Sequence, residues 1–474
     1  MGKPLYLTTT LPYVNADPHI GFALEIVQAD VVARARRISG DDVFFNTGTD
    51  EHGQKISETA KKAGEGEKEY VDRYAREVEK LKGALDLSYT NFIRTTDTAH
   101  ERAAQELWKR CKAKGDIYEG MYEGLYCVGC ENYLTEKDLV DGKCPLHPGQ
   151  EPRLVKEKNW FFKLKKYEEP LLAYLGRDGV IVPEHRRQEA LAFVRNGLED
   201  FSISREISQL SWGIKVPDDE TQVMYVWFDA LTNYISTLGW PDDRDGNFKK
   251  FWEGGETLQM AGKDQVRFQS IMWQAMLMSA DIKTTDRIFY HGFITSGGQR
   301  MSKSLGNVIS PFDLVERYGT DATRYLLLRH VHATDDTDVT WERLDEWYEA
   351  DLVNGLGNTI ARILTLSEKY GDALVQKPGT PDGAFKFLKN FNFNEYLLAT
   401  WAQIRGLDLL ITEKEPFKMV KVDLEAGREE IRQLVSNLYS VALYLEPVMP
   451  ETARKIREAI LANTKPENLF PRKA

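Results

Sequence analysis

The strongest constraint on the fold lies near the start of the chain. Pro4 to Thr10 is an apolar run of strand length, and the turn-rich segment LPYVNADPH follows it. A helical pattern then runs from about Gly21 to Ser39 and is closed by Gly40. Leu24, Val27, Val31, Ala35 and Ile38 recur at helical spacing, with Glu25, Gln28, Arg36 and Arg37 on the other side. VFFNTG is a second short strand. Strand, helix and strand in this order predict a parallel βαβ unit.

The chain has 474 residues, too many for one ordinary core, so several domains are expected. Hydrophobic residues at 42% and aromatics at 11% supply the packing for them. No apolar run is long enough to span a bilayer. The start, MGKPLYLTTTLPYVN, has no basic-then-apolar signal pattern, so a cytoplasmic location is expected and a membrane partner is not. A net charge of −11 argues against a surface that coats DNA. It leaves room for structured RNA held by a local basic patch.

From about Gly115 to Val216 the pattern changes to short strands and turns, as in an insertion. MYVWFDA then reads as a strand and GKDQVRFQSIMWQAMLM as a helix, and the α/β pattern resumes up to RIFYHGFIT and RMSKS. Beyond about Trp341 the signal is almost purely helical. Ile431, Leu434, Val435, Leu438, Ala442 and Leu445 mark one amphipathic face, closed by Pro447 and Pro450. The expected class is α/β with an insertion, followed by an all-α helical bundle. The expected bounds are 1–114 and 218–310 for the two halves of the α/β domain and 115–217 for the insertion. A linker at 311–345 and the bundle at 346–474 complete the layout.

Three of the four cysteines fall between Cys127 and Cys144. Cys127-x2-Cys130, thirteen residues, then Cys144-x2-His147 places paired ligands on two turns, as a tetrahedral structural Zn2+ requires. Four protein ligands leave no position for water. Chance clustering of buried cysteines is the alternative. Cys111 reads as a small buried residue.

PHIGF, at 18–22, lies between strand and helix. Open amides at a helix start bind anions, Gly21 admits close approach, and His19 can donate to a phosphate oxygen. RMSKS, at 300–304, is a basic loop whose Arg300 and Lys303 can follow charge onto a leaving pyrophosphate. Each motif alone is weak, a cap in one case and a solvated turn in the other.

Together, in this order and followed by a helical domain, they resemble the signatures of class I aminoacyl-tRNA synthetases. LPYVNADPHIGF, TGTDEHGQKI, YVWFDALTNYI, HGFITSGGQRMSKSLGN and DATRYLLLR resemble those of the methionyl-tRNA synthetases, over nearly the whole chain. The resemblance implies a doubly wound Rossmann-type catalytic domain with a zinc-binding connective insertion. It implies activation of methionine with ATP and Mg2+, release of pyrophosphate, and transfer of methionine to the 3′ end of tRNA(Met). It implies His19, Arg300 and Lys303 as catalytic residues. Asp50 would hold the methionine ammonium, with Leu11, Tyr13, Trp227, Ala230 and Tyr234 around the side chain. His19, Gly21, Gly262, Asp264, His291, Gly292, Ile294 and Lys303 would hold ATP, Asp264 near the ribose. The resemblance places the zinc knuckle near the acceptor end of the tRNA. In the helical tail it assigns Asn358, Arg362 and Phe417 to anticodon bases, Phe417 standing where the family often has Trp.

Three positions depart from the family. Phe22 replaces a second His, so one phosphate contact is missing. Gln265 stands where an aliphatic residue is common, and Gln269 where His is. Their spacing of four predicts a shared helix face, with Gln269 taking over a polar role of the missing His and Gln265 either a second polar contact or facing away. KPENLFPRKA leads into no further domain, so a monomer is expected. Three rival readings remain on the residues: another synthetase of the same subclass, a catalytically weak RNA-binding relative, and a simpler nucleotidyltransferase.

Overall fold

The computed structural model describes residues 2–134, 138–145, 147, 151–301, 307–371, 379 and 383–473, without the side chains of Tyr133 and Arg300. It divides into two compact units. The first comprises Met1–Pro18, Asp41–Lys80 and Tyr89–His291, and the second His19–Gly40, Leu81–Ser88 and Gly292–Ala474.

The first unit is built on a six-stranded parallel sheet. Its order is Asn91–Arg94, Asp42–Thr49, Pro4–Thr8, Glu256–Gly262, Arg287–His291 and Ile181–Val182. Strand Pro4–Thr8 pairs on one side with Asp42–Thr49 (Leu7 opposite Phe45) and on the other with Glu256–Gly262 (Leu7 opposite Leu258). The chain winds outward in both directions from Pro4–Thr8. This is a topological switch point, and ligands of such sheets bind beyond the carboxyl ends of the strands there. Strand Pro4–Thr8 is buried on both faces, which explains its unbroken apolar text. Gly48 is forced by packing, because a Cβ there would lie 1.8 Å from the Ile93 carbonyl oxygen.

The segment 115–217 is more than short strands and turns. Ile117–Cys127 and Arg153–Phe162 form a long antiparallel pair, flanked by Asn132–Leu134 and Phe201–Ser202. It also carries helices Glu168–Leu175 and Glu184–Arg195, and its Ile181–Val182 forms the edge of the parallel sheet. One local expectation fails. MYVWFDA is not a strand: the strand Asp219–Met224 ends first, and Val226–Leu231 is helical. An apolar run this short cannot by its pattern separate a buried strand from a buried helical turn.

In the second unit the helix Ile20–Ile38 is not amphipathic as expected. Glu25 and Gln28 are 3% and 1% exposed, whereas Ile38 is 38% exposed. The helix is buried nearly all round, and its buried Asp30 pairs with Arg34 at 2.7 Å and with Arg324 at 2.8 Å. Phe22, 8% exposed, is a packing residue. Helices Asn358–Tyr370, Phe393–Lys414, Leu424–Leu445 and Pro450–Ala462 dominate the remainder. All six residues of the expected apolar face on Leu424–Leu445 are buried. No helix among the described residues is long and apolar enough to cross a membrane.

Candidate functional site

Beyond the carboxyl end of Pro4–Thr8 the chain turns through Leu11 and Tyr13, and Tyr13 makes a single parallel bridge to Asp50. The Asp50 amide donates to the Pro12 carbonyl at 3.1 Å, and the Val14 amide to the Asp50 carbonyl at 3.2 Å. These bonds fix the Asp50 carboxyl where strand Asp42–Thr49 ends. The carboxyl is buried, and its Oδ1 has no hydrogen-bond partner among the described residues. Burial pushes its pKa well above the usual carboxylate range, and the carboxylates of Asp229 and Glu131 push it further. An anion held under such strain calls for a cation.

Tyr13 stands beside it, and further aromatic side chains lie in the same unit. Trp227 stacks on Phe268 with ring centroids 3.9 Å apart, and its indole N–H donates to the Glu131 carbonyl at 3.2 Å. Tyr13 donates from its hydroxyl to the His52 carbonyl at 2.7 Å. Ala230 and Tyr234 are buried in the same unit, and the Gln269 amide nitrogen donates to the Tyr234 hydroxyl. The other amide atom of Gln269, Oε1, is buried with no partner among the described residues.

Gln265 and Gln269 differ in their surroundings. Gln265 is half-buried and donates to Asp264 at 3.3 Å, whereas Gln269 is fully buried. The segment is 3-10 at Lys263–Gln265 and π-helical at Phe268–Met272 before it becomes the α-helix Trp273–Ser279. Changes of pitch between the two residues break the i,i+4 relation.

The nucleotide candidates divide between the units. In the first, a Cβ on Gly262 would lie 2.7 Å from Asp264 Oδ1 and 3.7 Å from the His291 ring, so these three converge. Asp264 is exposed, and His291 is buried at the end of its strand. In the second, His19 caps the helix Ile20–Ile38: its Nδ1 accepts from the Gly21 amide at 3.0 Å. A Cβ on Gly21 would strike the His19 ring at 2.8 Å. Gly292 lies against the Asp335 backbone, where a Cβ would come within 2.2 Å, and Ile294 opens the strand Ile294–Ser296. Arg300 pairs by its backbone with Thr295. Lys303 lies outside the described residues.

The four metal candidates come together. The ligand atoms of Cys127, Cys130, Cys144 and His147 all lie within 4.8 Å of one another. Cys130 and Cys144 Sγ are 3.8 Å apart, and His147 Nδ1 is 3.8 Å from Cys127 Sγ and 3.9 Å from Cys144 Sγ. Thiolates about 2.3 Å from a tetrahedral zinc lie about 3.8 Å from each other, so the set fits that ion. Gly129 belongs to this geometry, since a Cβ there would lie 2.5 Å from the His147 ring. Cys111 is buried apart from the set, its Sγ 3.9 Å from the Met276 carbonyl, and burial raises its pKa to about 12.

In the second unit Asn358 and Arg362 stand one turn apart at the start of Asn358–Tyr370. Asn358 is exposed, and Arg362 forms an ion pair with Asp408. Phe417, on Pro416–Val422, is exposed.

Some residues around Asp50 escaped the reading of the sequence. Asp229 is fully buried between two histidines, with His52 Nδ1 at 2.7 Å and His100 Nε2 at 2.8 Å. Burial alone would raise the Asp229 pKa, but His52 and His100 hold it below the usual range. Burial likewise opposes the charged form of His52, yet Asp229 raises its pKa. Both His52 and Asp229 sit inside quoted motifs, so the signal was present in TGTDEHG and VWFDA. Glu131 had no signal beyond its place after Cys130.

A parallel sheet with a buried carboxyl and aromatic walls at its switch point is the frame of a nucleotide-dependent enzyme acting on a small substrate that carries a cationic group. Residues 5–149 and 138–364 match the family model of the tRNA synthetases class I (M). The methionine--tRNA ligase of Caldanaerobacter subterraneus subsp. tengcongensis is 40% identical over an alignment of 478 residues, which covers 97% of this chain and 74% of that protein. The structure of Mycobacterium tuberculosis methionyl-tRNA synthetase in complex with methionyl-adenylate superposes with a TM-score of 0.90 at 38% identity, covering 96% of this chain and 93% of that one. The apo form of that enzyme gives 0.83 at 32%, covering 100% and 99%. The chain belongs to the class I tRNA synthetases, in the branch that contains the methionine--tRNA ligases.

Proposed function

We infer that this chain is a methionine--tRNA ligase. It activates methionine with ATP to methionyl-adenylate, releases pyrophosphate and transfers methionine to the 3′ end of tRNA(Met). The observation that carries this is the buried Asp50 carboxyl, with an oxygen left without a partner, among aromatic side chains at the switch point. A methionine ammonium supplies the missing charge-assisted bond. Tyr13, Trp227, Ala230 and Tyr234 enclose a flexible, polarisable thioether, for which aromatic walls suit, and Leu11 borders them.

Gly262, Asp264, His291, Gly292 and Ile294 take the adenosine, Asp264 at the ribose. His19, the amides after Gly21, Arg300 and Lys303 take the phosphates, and Mg2+, when bound, would offset part of their negative charge. Activation is an in-line displacement at the α-phosphate by the methionine carboxylate, so positioning and neutralisation of charge supply the rate. Cys127, Cys130, Cys144 and His147 hold a structural Zn2+, which leaves no open position for chemistry. Asn358, Arg362 and Phe417 read anticodon bases, Phe417 by stacking. The enzyme works as a cytoplasmic monomer.

The direct test of the second half-reaction is charging of tRNA(Met) with labelled methionine. Absence of charging under conditions that support adenylate formation would leave only the activation step. Gln269 tests the pocket. Its unmatched Oε1 and its bond to Tyr234 give Gln269→Ala an expected rise in methionine KM of about tenfold, the size of one buried hydrogen bond. An unchanged KM in pyrophosphate exchange would remove Gln269 from the pocket.

A further inference from the structure

The Glu131 side chain and backbone together bind five groups from three separate parts of the first unit. Its Oε1 accepts from the Lys55 amide at 2.5 Å and from the Tyr13 hydroxyl at 3.1 Å. Its Oε2 accepts from the Tyr126 hydroxyl. Its carbonyl oxygen accepts from the Tyr225 hydroxyl at 2.5 Å and from the Trp227 indole at 3.2 Å. The residue is buried, and its φ of +50° lies in the left-handed region that side chains other than glycine rarely adopt. Backbone strain of this kind persists only where the surroundings over-determine it. Here five donors do so.

The neighbouring backbone is shaped to the same contact. Gly53 has a φ of +114°, and a Cβ there would lie 2.1 Å from the Tyr13 hydroxyl and 3.0 Å from Glu131 Oε1. Tyr13 and Trp227 have few other polar anchors. The Tyr13 hydroxyl has one more, the His52 carbonyl, and the Trp227 indole donates to Glu131. Glu131 is therefore the point at which two aromatic walls, on separate stretches of chain, are fixed to each other.

We propose that Glu131 is a positioning residue for methionine: by holding Tyr13 with its carboxylate and Trp227 with its carbonyl, it sets the spacing of the aromatic walls and so the affinity for the amino acid. The proposal rests on the assignment of Tyr13 and Trp227 to the methionine pocket. The carboxylate is a shared buried acceptor, so its loss strands the Lys55 amide and the Tyr126 hydroxyl and leaves Tyr13 with the His52 carbonyl alone. Glu131→Ala removes the carboxylate. Glu131→Gln keeps an acceptor for Tyr13 and for the Lys55 amide, and its NH2 can donate to the Tyr126 oxygen.

The experiment is methionine-dependent exchange of pyrophosphate into ATP with the full chain. Glu131→Ala is expected to raise the methionine KM at least about tenfold, while the ATP KM, kcat and zinc content stay close to those of the parent. Glu131→Gln is expected to recover most of that loss. Tyr13→Phe combined with Glu131→Ala is expected to cost less than the product of the two single effects, because both remove the same bond. The proposal is overturned if Glu131→Ala leaves the methionine KM unchanged, if it raises the KM for ATP equally, if it loses its zinc, or if the two effects multiply. Should Glu131→Ala fail to fold, Glu131→Asp, which withdraws the carboxylate by one methylene, is judged by the same criteria. Absence of methionine-dependent exchange in the parent chain would instead overturn the functional assignment itself.

Discussion

Asp50→Asn is expected to lower kcat/KM for methionine activation about 100-fold, the size of a buried charge-assisted bond. The same variant is expected to be more stable than the parent near neutral pH. Both effects have one cause. The Asp50 carboxyl is buried, one oxygen lacks a partner, and Asp229 and Glu131 repel its charge. Its folded pKa is raised well above the ordinary value. A raised carboxyl stabilises the fold while protonated, and that contribution is lost as pH climbs through the folded pKa. Ionised Asp50 is thus a cost borne by the free protein, and Asn does not bear it. The ligand ammonium needs the ionised form, so methionine affinity rises with pH through the same window. The Asn variant should lack that rise. Thermal melts with and without methionine across pH check all three statements. A variant that loses both activity and stability would mean that Asp50 holds the fold.

The second large effect lies in the other unit. Arg324→Met is expected to destabilise it by about 3–5 kcal/mol, as removal of one partner from a buried ion pair does. Arg324 is fully buried and makes three hydrogen bonds to carbonyls besides its pairing with Asp30: Nε to Val448 at 2.8 Å, Nη1 to Leu85 at 2.9 Å and Nη2 to Pro447 at 3.0 Å. Without it those carbonyls lose a donor and Asp30 keeps only Arg34 and Ser88, the latter at 2.6 Å. Burial alone would raise the Asp30 pKa, but Arg324 and Arg34 hold it below the usual range. A depressed carboxyl stabilises above its unfolded pKa, and that contribution is lost as pH falls through the folded one. The penalty of Arg324→Met should therefore shrink in acid below the ordinary carboxylate range. Amide exchange in Ile20–Ile38 and Thr320–His330 reads the change locally. Asp30→Asn combined with Arg324→Met should cost less than Arg324→Met alone. Protection unchanged in Arg324→Met would contradict this account of the ion pair.

Much of this was legible in the text of the chain, and the failures have physical reasons. The parallel sheet followed from a buried strand, a capped helix and a second strand in order. The zinc-type cluster followed from ligand spacing, because four chemically special residues have few other uses in so short a stretch. The amphipathic face of Leu424–Leu445 was visible because one side of that helix meets solvent. The helix Ile20–Ile38 has no solvent side, so Glu25 and Gln28 looked exposed when they are buried. Pattern cannot announce a buried polar residue whose partner lies hundreds of positions away, as Arg324 does from Asp30. The direction of Gln265 stayed open in the sequence for a local reason: sequence period assumes uniform pitch, and the segment passes from 3-10 to π geometry. Glu131 was invisible because its importance rests on a left-handed backbone and on tertiary donors, neither of which has a sequence signature.

The identity of the amino acid is tested by pyrophosphate exchange into ATP, run separately with each standard amino acid. Methionine is expected to support exchange strongly and the others far more weakly, with the signal lost in Asp50→Asn. Exchange driven preferentially by another amino acid, or by none, would contradict the assignment.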